Sequence, residues 1–127
     1  MKRIIPYLVM IPLMIMASPA IAHEDAPSAM NTMAGIVMNL NHYPSDSEKQ
    51  TLQQIIGDTH ATAGERTLAG ALQRMQHKVG GDDAEKLMRL KNNPQAEPAE
   101  RELADILLGI AHHPSASDQK RLQQLMH

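Results

Sequence analysis

The sequence predicts an all-α domain built from three helical-hairpin repeats, six helices in all. A shift of 35 residues lays the chain onto itself without a gap. Within each copy the apolar residues recur at helical spacing, and turn-forming residues interrupt each copy at the same two places. The phrases "LNHYPSDSEKQTLQQI" (40–55) and "IAHHPSASDQKRLQQL" (110–125) are the first and third versions of one unit. The second, "MQHKVGGDDAEKLMRL" (75–90), is the most diverged.

The first helix of each unit is read from the stripe at residues 33, 36, 37 and 40, which is i, i+3, i+4 and i+7 of one helical face. Its equivalents repeat the pattern: Met33, Leu68 and Leu103 align, as do Val37, Leu72 and Leu107, then Leu40, Met75 and Ile110. Thr62 followed by Glu65 has capping-box spacing and marks the start in the second copy. Pro98, with Glu100 close behind, suits the first helical residue of the third, where a missing N–H costs nothing. The stop is expected just after His42, His77 and His112, where Pro44, Gly80 and Pro114 discourage further helix.

A second helix then starts near Ser47, Asp82 and Ser117, each followed by an acid, with Ser45 and Ser115 as rival caps. It carries Leu52 with Ile55, Leu87 with Leu90, and Leu122 with Leu125. Breaks at Gly57-Asp58-Thr59 and Asn92-Asn93-Pro94 end it and divide the repeats at about 23–57, 58–92 and 93–127. Neither helix can bury its stripe alone, so neighbouring units must cover it. Small residues at Ala34-Gly35, Ala69-Gly70 and Ala104 permit close approach. An open, short α-solenoid is the first expectation and a compact six-helix bundle the alternative. In period and hairpin content the chain resembles the general plan of tetratricopeptide-type solenoids, without their consensus aromatics or late proline.

Residues 1–22 have a different grammar. Lys2 and Arg3 precede an apolar run and an A-x-A site at Ala20-Ile21-Ala22, the pattern of a cleaved signal peptide. The run from Ile4 to Met16 is short of the ~20 residues a membrane span needs and contains Pro6 and Pro12. The reading is a periplasmic or secreted bacterial protein with no stable membrane insertion after cleavage. The mature part, 23–127, is a single domain with 10 basic and 14 acidic residues, a balance that argues against nucleic acid. Without cysteine it has no disulfides or thiolate metal sites, and Tyr43 is its one aromatic residue, so the core must be aliphatic.

Seven histidines invite a metal reading, because neutral imidazole is a ligand for zinc and copper. His42, His77 and His112 recur at one repeat position, but helices packed ~8 to 10 Å apart would hold them apart unless the array closes on itself. Helix capping is therefore the structural reading set against ligation. His23 would become the N-terminal residue after cleavage, pairing a free amine with an imidazole. Met30, Met38 and Met126 are the methionines that core packing does not claim.

No nucleophile, phosphate loop or acid pair is legible, so an enzyme is not expected and no cofactor is required. The main functional reading is a helical-repeat module that binds a periplasmic protein or peptide. Its candidate contacts are the variable positions Met38, Gln73 and Leu108, and Asn39, Arg74 and Gly109. Exposed ends of a three-unit array also invite a homodimer. The alternative is a copper- or zinc-binding protein using His23, His42, His77 and His112.

Overall fold

The computed structural model describes residues 28–126, so the expected signal peptide at 1–22, His23 and His127 lie outside the described residues. These residues form six helices: α1 (Ala29–Met38), α2 (Asp46–Gly57), α3 (Ala63–Gln73), α4 (Gly81–Lys91), α5 (Pro98–Gly109) and α6 (Ala116–Leu125). None is long and apolar enough to cross a membrane.

Helix starts follow local chemistry. Ser28 caps α1 through its side chain, and Thr62 with Glu65 forms the expected capping box on α3. Pro98 opens α5 as its first residue. Ser45 and Ser115, rather than Ser47 and Ser117, cap α2 and α6, because Glu48 and Asp118 reach back to close capping boxes with them. Gly80 occupies the same place on α4 without a side-chain cap.

Two expectations are corrected. The first helices stop at Met38, Gln73 and Gly109, before the histidines rather than after them. The intervening Leu40, Met75 and Ile110 are buried, and pulling them inward turns the chain off the helical path. The second correction concerns assembly, for the array is closed rather than an open solenoid. The two tightest pairings cross repeat boundaries, α2 with α3 and α4 with α5, and α6 packs back on α1 as closely as α3 packs on α4 within the second repeat. The connections at 58–62 and 92–97 join α2 to α3 and α4 to α5, and the links through 39–45, 74–80 and 110–115 run past the histidines.

The result is an inner triplet, α1, α3 and α5, whose members all touch one another, surrounded by α2, α4 and α6, which do not touch each other. Met33, Leu68 and Leu103 form one fully buried set and Val37, Leu72 and Leu107 the next. Leu52, Leu87 and Leu122 are equally buried from the outer helices, and Ala34, Ala69 and Ala104 let the backbones approach. The sequence repeat thus becomes a pseudo-threefold axis.

At the end where α1, α3 and α5 start, the symmetry is broken by Glu100, which is 5% exposed. Thr62 Oγ1 donates to its Oε2 at 2.9 Å. Burial raises the pKa of Glu100, the Thr62 hydrogen bond opposes this, and the charges of Glu65 and Glu97 raise it further. The native state therefore favours the protonated acid. Its contribution is complete below the unfolded carboxyl range and is lost as pH rises through the native value. Glu100→Gln should consequently gain stability over the parent as pH increases from acid to neutral, measured by denaturant unfolding at each pH. Gly64 makes room for this carboxyl, since a Cβ there would lie 1.9 Å from Glu100 Oε1. Gly64→Ala should be destabilising in the parent, yet neutral or stabilising by up to about 1 kcal/mol beside Glu100→Ala, where only the helix propensity of alanine remains.

Polar contacts fasten the second and third repeats internally and, through Lys91 and Asp105, join one to the other. Arg74 binds Asp83 through two hydrogen bonds, at 3.0 and 2.6 Å. Arg121 of α6 bridges Glu102 and Asp105 of α5, and Lys91 of α4 reaches Asp105 at 2.8 Å. The Lys91 and Arg121 hydrogen bonds hold the Asp105 carboxyl below its usual range, as the Arg74 bond does for Asp83.

Candidate metal centre

Closure brings together what an open array would separate. Beyond α1, α3 and α5 the chain passes through three equivalent tight turns centred on His42, His77 and His112. Each turn has a short backbone hydrogen bond across its centre, from Tyr43 N to Asn41 O at 2.9 Å, Lys78 N to Gln76 O at 2.6 Å, and His113 N to Ala111 O at 2.9 Å. The central histidines have φ of 72, 64 and 72°, in the left-handed region that side chains other than glycine avoid. An i to i+2 bond around a positive φ is a strained γ-turn. Such backbone costs of order 1 to 3 kcal/mol per residue and persists where the surroundings over-determine it.

A ring of backbone hydrogen bonds does the over-determining. His42 N donates to His112 O, His77 N to His42 O, and His112 N to His77 O, all at 2.7 Å. The three residues form one closed cycle across all three repeats. Inside it the imidazoles converge like propeller blades, with centroids 5.0 to 5.1 Å apart and planes crossing at 72 to 76°. Their Nδ1 atoms form an equilateral triangle with edges of 3.1 Å.

That triangle is poorly satisfied by protons alone. A neutral imidazole nitrogen is either donor or acceptor, so one shared proton serves at most two of the three edges and leaves two lone pairs facing each other on the third. A metal ion accepts all three lone pairs at once. With 3.1 Å edges the corners lie about 1.8 Å from the centre, so the three nitrogens would all come within ordinary bonding distance, about 2.05 Å, of one ion. These three side chains could hold a metal ion.

The chain matches no known protein family model. Nor does any curated protein or solved structure match it.

The other sequence candidates fall elsewhere. No histidine of the ring caps a helix through its side chain; Asn39 does so on α1, its Nδ2 donating to Gly35 O at 3.0 Å. His60 is exposed and lies 3.4 Å from Asp58, and His113 turns its Nδ1 to Pro114 O at 3.2 Å. Met30 is buried in the core, while Met126 lies beside Gly35 on α1. Of the variable positions, Gln73 donates to Lys49 O and Gln53 Oε1, and Arg74 is engaged by Asp83. Met38 and Leu108 pack against the core, and Asn39 and Gly109 are exposed.

Proposed function

We propose that this protein binds one zinc or copper ion through Nδ1 of His42, His77 and His112. The observation that carries the reading is the 3.1 Å triangle of three ring nitrogens, held by a cyclic backbone hydrogen-bond network that maintains three strained turns. Imidazole suits both ions, and three nitrogens on one face resemble the open donor sets of catalytic rather than closed structural zinc sites. The convergence of the three imidazoles gives the metal reading precedence over the peptide-binding module. The leader pattern at residues 1–22 supports placing this chemistry in the periplasm or outside the cell.

The deciding experiment is calorimetric titration of the metal-free protein with Zn(II) and Cu(II). One equivalent should bind with Kd of about 1 µM or tighter. Affinity should fall in acid, where protons compete for all three imidazoles. Binding no tighter than to free histidine, or several weak equivalents without a first strong one, would reject the reading.

A further inference from the structure

Three protein nitrogens do not complete a coordination shell, and the rest of the shell faces outward. Leu40, Met75 and Ile110, each two residues before a ring histidine, are buried in the core, while His77 and His112 are exposed. The space outside the ring is not equivalent in the three sectors. Between the first and second repeats a cleft of about 280 Å³ is lined by Tyr43, Lys49, Gln76 and the ligand candidate His77. The Lys49 ammonium lies 5.6 Å from the centre of the Tyr43 ring, and among the described residues it enters no ion pair. The sequence shift of 35 places Lys78, Ala84 and Ala111 in the next sector and His113, Gln119 and Asn41 in the third. Only the first sector combines a phenol, a lysine and a glutamine beside the ring. An ammonium, an amide and a phenol are hydrogen-bond donors, and no carboxylate lines the cleft.

The geometry points to a ternary site: we infer that the metal-loaded ring takes a small carboxylate in this cleft. One carboxylate oxygen occupies an open position on the ion, and the other faces the Lys49 ammonium, with the Gln76 amide as a further donor. The ion supplies the strong point charge, and Lys49 selects for a ligand that is itself anionic. This inference rests on the metal-binding reading and extends it to the chemistry that the bound ion meets.

The test uses the full chain loaded with Co(II), whose visible absorption reports its ligands, and acetate as the probe. Acetate should change the visible spectrum saturably, and Lys49→Ala should weaken that response about tenfold while leaving cobalt affinity unchanged. Lys86→Ala, at an exposed position outside the cleft, is the control and should behave as the parent. A cobalt spectrum indifferent to acetate, or an equal response in parent and Lys49→Ala, overturns the inference while leaving metal binding intact. A doubling of molecular mass on cobalt loading, measured by light scattering, also overturns it, since the open face would then be taken by a second copy. Failure to bind cobalt at all is visible before acetate is added, and removes the metal reading together with this one.

Discussion

Replacing His42, His77 and His112 together with alanine is expected to abolish stoichiometric zinc and copper binding while the six helices still form. Each single replacement should lower affinity at least about a hundredfold, because two imidazoles cannot reproduce a three-nitrogen facial site. Calorimetry of the four variants measures this, with circular dichroism as the check on folding. Comparison with glycine then separates ligand from backbone. The ring histidines have φ of 72, 64 and 72°, a region where glycine is unstrained and alanine is not. The triple glycine variant should therefore be more stable than the triple alanine variant, by about 1 kcal/mol per site, and equally unable to bind metal. Had the histidines been helix caps, both variants would instead lose stability by similar amounts.

Leu72→Ala should be the most damaging kind of conservative change, at a cost of about 2 to 5 kcal/mol. Leu72 is fully buried on α3, in the inner layer it shares with Val37 and Leu107. For a domain of this size each kcal/mol moves Tm by roughly 4 to 8 °C, so the metal-free variant should melt at least about 8 °C below the parent. On the proposed metal reading, zinc binds the closed ring and not the unfolded chain. At about a thousand times Kd it should return about 4 kcal/mol, enough to offset much of the deletion. The same zinc concentration should leave Tm unchanged when Leu72→Ala is combined with the triple histidine replacement. Thermal unfolding with and without metal, at one protein concentration, measures both effects. Equal stabilisation in the two backgrounds would mean that zinc acts somewhere other than the ring.

Much of the fold was legible because local rules and global packing agree. The stripe of Met33, Ile36, Val37 and Leu40 and its two copies mark the inner helices, and all of these residues are buried. Thr62 with Glu65 gave a helix start directly. Ser45 and Ser47 could not be ranked from the sequence, since Glu48 follows the first and Gln50 the second at the same spacing. The structure resolves the choice through the reciprocal bonds of Ser45 and Glu48.

The site was less legible, and for a physical reason. Its assembly depends on α6 returning to α1, a long-range contact with no local sequence signature. An open stack and a closed ring satisfy the same hydrophobic periodicity. The three γ-turns also run against local preference, because histidine rather than glycine occupies each positive-φ position. The available signal was the recurrence of histidine in identical phase in three successive repeats, which a closed ring turns into a single point.

The most direct measurement is a crystal structure of the zinc-loaded protein with anomalous diffraction recorded at the zinc edge. The expected result is one strong peak on the pseudo-threefold axis, about 2.0 to 2.1 Å from the Nδ1 atoms of His42, His77 and His112. A peak bound by other residues, or three imidazoles spread apart along an open array, would contradict the closed metal ring.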